Sequence, residues 1–107
     1  ASLYGGFGLG PVNTTSGHAI AYPLGTRHHL PHGLACALIM PHALAFNAPA
    51  AEAKTALVLE ALGGDVTAFC AGLGLDMRLR AHGIPAEDLP AMAKEAHAIR
   101  RLLDNNP

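Results

Sequence analysis

Apolar and polar positions fall at helical spacings along this chain, with proline and glycine as punctuation. Residues 1–12 interleave small residues with Leu3, Tyr4, Phe7 and Leu9. Their four glycines each weaken an isolated helix by about 1 kcal/mol relative to Ala, so a helix here is expected to lie close against another backbone. The polar cluster Asn13-Thr14-Thr15-Ser16 is placed to cap a helix carrying His18 and Tyr22, which are four apart and share a face. Pro23-Leu24-Gly25-Thr26-Arg27-His28-His29-Leu30-Pro31 then predicts a break, because proline lacks an amide donor and glycine ends helices readily. His18 and His32 therefore belong to two elements joined by a tight connection.

A second long helix is expected from about His32 to Phe46, kinked at Pro41 and stopped by Asn47 and Pro49. Another runs from Ala50 to Leu62 and ends at Gly63-Gly64. Asp65 is a good N-cap for the next, with Val66, Phe69, Cys70, Leu73 and Met77 on one stripe, Arg78 and Arg80 in the last turns, and Gly83 and Pro85 closing it. The last helix starts at Asp88 or Leu89 and carries Leu89, Met92, Ala93, Ala96, Ile99 and Leu103 along one face. Asp104-Asn105-Asn106-Pro107 stops it. No alternating strand pattern occurs. The expected fold is all-α, one helical domain over residues 1–107, a bundle of about five helices.

Composition changes this picture through its distribution. Charged residues make up 14% of the chain, against about 25% in an ordinary soluble domain. Residues 1–51 carry a single formal charge, Arg27. Such a half needs cover from the second half, from a partner copy in a homodimer, or from a missing domain. A membrane span is not expected, because the uninterrupted apolar run Leu34–Met40 is seven residues long and a span takes roughly 20. No signal peptide is visible, and the lack of an initiator Met fits processing or a segment of something longer. A net charge of −1 without a basic stripe gives no reason to expect nucleic acid. Cys36 and Cys70 lie in apolar helical patterns, where free thiols behave as small hydrophobes, and they suggest a reducing, cytoplasmic setting.

Candidate chemistry centres on histidine. Five of seven histidines (18, 28, 29, 32 and 42) fall within twenty-five positions. His32 is expected in the first turn of its helix, where the dipole favours a neutral imidazole able to bind a metal. From spacing alone, His18 and His32 read either as metal ligands or as buried, hydrogen-bonded histidines. His28 and His29 read as loop residues; His42, His82 and His97 belong to helix faces or ends. Other chemistries find little support. Ser2 and Ser16 lack a nucleophile-elbow context, and no phosphate loop is present. Gly6-Phe7-Gly8-Leu9-Gly10 lacks the strand and acidic residue of a dinucleotide fingerprint, and neither cysteine has an electropositive neighbourhood.

Three stretches carry a resemblance: residues 13–25, with Gly17-His18-Ala19-Ile20-Ala21-Tyr22-Pro23-Leu24-Gly25 at their heart; Leu30-Pro31-His32-Gly33-Leu34-Ala35; and Met40-Pro41-His42-Ala43-Leu44-Ala45-Phe46-Asn47. Together they resemble the iron-containing (group III) alcohol dehydrogenases, a superfamily that includes the maleylacetate reductases. The resemblance extends through Asp88-Leu89-Pro90 to the end of the chain. It implies an all-helical C-terminal domain that supplies part of a metal site, partnered by an N-terminal α/β domain that binds NAD(P). The implied metal is Fe²⁺, alternatively Zn²⁺, held by an Asp and a His four apart on an earlier helix and by two later histidines. By motif position these last two are His18 and His32. The implied substrate is a small alcohol, aldehyde or keto acid, with Tyr22, where many members have His, orienting it or relaying a proton. The earlier ligands and the nucleotide domain are expected upstream of Ala1, so the resemblance implies a fragment. The competing class is a helical packing or oligomerisation module, or a weak His-rich metal binder, without catalysis.

Overall fold

The computed structural model of the chain describes residues 2–12 and 14–106. Among these are seven α-helices and no strand: α1 Ser2–Val12, α2 Ser16–His28, α3 His32–Asn47, α4 Glu52–Ala61, α5 Val66–Gly72, α6 Leu89–His97 and α7 Arg100–Leu103. The fold is all-α, as the patterning implied. Asn13, in the expected capping cluster, and Pro107, in the expected stop, lie outside the described residues.

The helix α2 is the hub. It packs on α3, α6 and α7, with Ala19 and Ala21 wholly buried and Pro23 and Leu24 also inside. Small side chains let neighbouring helices approach closely, and dense packing then supplies the stabilisation. Leu24 joins Leu30, Ala35, Leu38, Ile39, Ile84 and Met92 in the core.

One expectation fails here. The helix runs on through Pro23 and Gly25 to His28, so the break is confined to His29–Pro31. A proline inside a helix forfeits one backbone hydrogen bond, and burial of Pro23 against the neighbouring helices offsets that loss. What ends the helix is Pro31, which disfavours helical angles at Leu30. His29 turns the chain in the left-handed region (φ 55°), and its N–H bonds back to Gly25 O while that of Leu30 reaches Leu24 O. Such a paired closure satisfies carbonyls that the helix end would leave free.

Several other boundaries differ. α1 forms, but a Cβ added at Gly5 or Gly6 would meet nothing within 4 Å, and Leu3, Tyr4, Phe7 and Leu9 are exposed. The close backbone approach expected for this segment is therefore absent at those glycines. Thr15 is the N-cap of α2 yet its side chain makes no capping bond. The expected helix after Asp65 stops at Gly72, because Gly74 takes a positive φ of 88°. Beyond it Asp76 accepts bonds from the backbone N and Nε of Arg78, holding a coil that leads into a 3-10 turn at Leu79–His82. Asp65 does cap α5, accepting from Ala68 N at 3.0 Å. The final helix is broken at Ile99 (φ −87°, ψ 64°). Beyond that break Leu102, rather than Leu103, is fully buried, and α7 packs on α2.

The membrane criterion also needs correcting. By mean hydropathy, 1.3 in each, the stretches His32–Ala50 and Glu52–Gly72 are long and apolar enough to cross a bilayer. The short run Leu34–Met40 understated them. Neither stretch is one unbroken α-helix, however. The first tightens into a 3-10 turn at Ala48–Ala50, and the second is interrupted at Gly63 and Gly64, both at positive φ.

A polar clasp closes the bundle. Ser16 Oγ donates to Asn106 Oδ1 at 2.6 Å, Asn47 Nδ2 donates to the same oxygen at 3.2 Å, and Asn106 Nδ2 returns a bond to Asn47 Oδ1 at 2.7 Å. The start of α2, the end of α3 and the C-terminal segment meet on one side chain. Asn106→Ala leaves the buried Ser16 hydroxyl and the Asn47 amide without these partners. It is expected to lower stability by about 1–3 kcal/mol, measured as a shift in the denaturant midpoint at unchanged slope.

Candidate metal centre

Helices α2 and α3 run in opposite directions: three residues join the end of one to the start of the other, while Gly17 at the start of α2 faces Ala43 near the end of α3. Each presents a pair of polar side chains one turn apart, His18 and Tyr22 on α2, and His32 and Cys36 on α3. A spacing of four keeps each pair on one face. His32 stands at the first position of α3, after Pro31 as N-cap.

The four side chains converge. The rings of His18 and His32 have centroids 5.4 Å apart at 45°, and Tyr22 stacks over His32 at 6.1 Å and 26°. Cys36 Sγ lies 3.6 Å from His32 Nε2. One donor atom each from His18, His32 and Cys36 falls within 4.8 Å of the others. His18, Tyr22 and Cys36 are half-buried and His32 is exposed. Two imidazoles and a sulfur at this separation are a donor set suited to a divalent transition metal. Burial pushes the Cys36 thiol up from its ordinary value.

All three residues singled out from the sequence, His18, Tyr22 and His32, are thus together. Cys36 was missed, because an apolar pattern made it look like core. Cys70 does behave that way, buried at 2% exposure. The overlooked signal was the interval of four between His32 and Cys36. The remaining histidines are elsewhere. His28 is the last residue of α2 rather than a loop residue, with Nε2 3.2 Å from Asp88 Oδ2. His29 forms the exposed turn, His42 is exposed on α3, and His82 Nε2 is 2.6 Å from Asp76 O. His97 borders an apolar cavity of about 410 Å³ between Ile20, Leu24, Ile39 and Met92. None of His18, Tyr22, His32 or Cys36 lines that cavity.

The description "Fe-containing alcohol dehydrogenase family, C-terminal" matches residues 1–107. The chain belongs to the Fe-containing alcohol dehydrogenase family. Among curated relatives it is 36% identical to a sulfoacetaldehyde reductase of Bilophila wadsworthia, with 100% of the chain and 32% of that protein covered. It is 31% identical to a maleylacetate reductase of Sphingobium indicum (91% of the chain, 30% of the relative) and 29% identical to a lactaldehyde reductase of Escherichia coli (85% and 28%). No solved structure matches the chain significantly. The chain therefore spans about a third of the length of these relatives, and what it shares with them is the helical C-terminal part of the Fe-containing family.

Proposed function

We propose that the chain is the metal-binding helical part of an NAD(P)-dependent oxidoreductase that interconverts a small alcohol with its aldehyde or keto form. His18 and His32 are its ligands to Fe²⁺ or Zn²⁺, and Tyr22 is the group beside the reacting oxygen. The observation that carries this reading is the convergence of His18 and His32 across α2 and α3, in a chain matched to the family over all 107 residues. Lewis-acid polarisation of a substrate oxygen is the chemistry that a bound cation supplies, and hydride is the nicotinamide's contribution.

The residues of this chain do the rest. His18 and His32 fix the position of the centre from two helices whose packing sets their separation. Tyr22 lies one turn from His18 and stacks on His32, which supports a role in hydrogen-bonding a substrate oxygen and passing a proton to or from it. The further Asp and His implied by the family resemblance, and the nucleotide-binding domain, are taken to come from the remainder of the same protein. Residues 1–51 offer no carboxylate. The free thiols of Cys36 and Cys70 support a reducing, cytoplasmic setting.

Exposure of Leu3, Tyr4, Phe7 and Leu9 on α1 favours a second reading, a packing or dimerisation module. Concentration-dependent association in the analytical ultracentrifuge that Phe7→Lys abolishes, with no dehydrogenase activity in the intact protein, would decide for it.

In the intact protein, His32→Ala is expected to abolish metal-dependent turnover and to weaken metal binding by more than the roughly 100-fold typical of losing an outer-shell partner. Turnover that survives both this change and complete metal removal would overturn the assignment. Tyr22→Phe is expected to lower kcat about 10²- to 10⁴-fold while metal content stays the same; an unchanged kcat removes the proton relay.

A further inference from the structure

We propose that Asn106 is a positioning residue for the metal centre, holding the first turn of α2, and with it His18, through its hydrogen bond to Ser16. The inference rests on the reading of His18 as a metal ligand and adds to it what fixes that ligand in place.

The first turn is where α2 is weakest. Helix ends fray, because the first amides of a helix have no carbonyl of their own turn to bond. A capping side chain normally answers this, yet that of Thr15 makes no such bond. His18 is the third residue of α2, inside that turn. Its N–H reaches Thr15 O at 3.0 Å, and that of Ala19 reaches the same oxygen at 3.3 Å. Whatever opens the turn therefore releases the imidazole.

The C-terminal segment supplies the missing restraint. Ser16, buried at the first position of α2, donates from Oγ to Asn106 Oδ1 at 2.6 Å. On the other side of the N-cap, Asn105 Nδ2 donates to Thr14 O at 3.5 Å. Asn106 is itself held, exchanging two amide hydrogen bonds of 3.2 and 2.7 Å with Asn47 at the end of α3. That exchange fixes which way its amide faces, so that the oxygen and not the nitrogen meets the Ser16 hydroxyl. The opposite end of α2 is tied differently, by Arg27 to Glu95 at 3.5 Å and by His28 to Asp88 at 3.2 Å. Those contacts lie at the far end of the helix from His18 and provide a control for the clasp.

Cobalt(II) and Zn²⁺ titrations of the intact, metal-stripped protein test this, together with hydrogen exchange of the metal-free form. Ser16→Ala and Asn106→Ala are each expected to weaken binding of both metals about tenfold or more and to shift the visible cobalt bands. Exchange at the His18 and Ala19 amides speeds up, with little change at Leu38 and Ile39 in the core. The double variant binds no more weakly than Asn106→Ala alone, because the two side chains act through one bond. Asn106→Asp keeps an acceptor for Ser16 and restores most of the affinity. Glu95→Gln, at the other end of α2, leaves affinity and bands unchanged. Ser16→Ala removes a single hydroxyl, so it carries the test should Asn106→Ala fail to fold. Metal affinity unchanged in Ser16→Ala, or lowered equally by Glu95→Gln, overturns the positioning role and leaves the histidine ligands standing. Cobalt bands indifferent to His18→Ala and His32→Ala, or no cobalt binding, overturn the parent reading together with it.

Discussion

Everything in this fold depends on how tightly α2 is enclosed. Ala19 and Ala21 are wholly buried, with Pro23 and Leu24 beside them, and α3, α6 and α7 all close on this one helix. A helix surrounded on most sides leaves few positions for a polar group that must remain reachable. His18 and Tyr22, half-buried and one turn apart, occupy the strip that is left. The alanines matter to the site for the same reason they matter to the core: larger side chains there would hold α3 away, and the two histidines would no longer meet.

The second constraint is the register of α3. Its residues advance by about 100° each, so Leu38, Ala35 and Ile39 lie in sequence around one buried face, and His32 and Cys36 continue it at its edge. A slip of one residue would carry apolar side chains out of the core and both donors away from His18 together. Burial of the apolar face therefore also aims His32 and Cys36. The polar clasp of Asn106 on Ser16 and Asn47 pins the far ends of the same two helices, limiting how far they can slide against each other.

Where a single local preference governed an element, the sequence was a sound guide. Asp65 caps α5, Gly63-Gly64 end α4, and α3 begins at His32. It misled where tertiary packing outweighed that preference. Pro23 and Gly25 look like a stop, yet α2 passes both, and burial of Pro23 in the bundle offsets the cost of the proline. Gly74 and Ile99 break helices whose apolar stripes looked continuous, since periodicity records which residues want burial and not where the backbone turns. His18 and His32 were legible through their motif, and Tyr22 through its spacing from His18. Cys36 was hidden, because a cysteine in an apolar run is indistinguishable from core until the facing helix is known.

The lopsided charge of the chain bears on the chemistry as much as on the packing. Arg27 is the one formal charge in residues 1–51, so α1, α2 and α3 bring no carboxylate to the place where their histidines meet. In surroundings poor in charge and partly shielded from water, an uncompensated cation is costly. Any divalent ion there must find its negative partners beyond these helices. All eight acidic side chains lie beyond residue 51, and four of them already face a basic or imidazole group: Glu95 faces Arg27, Asp88 faces His28, Asp76 faces Arg78, and Asp104 faces Arg100. A helical frame that brings two imidazoles together without a carboxylate thus leaves the compensation of any cation placed there to groups outside residues 1–51.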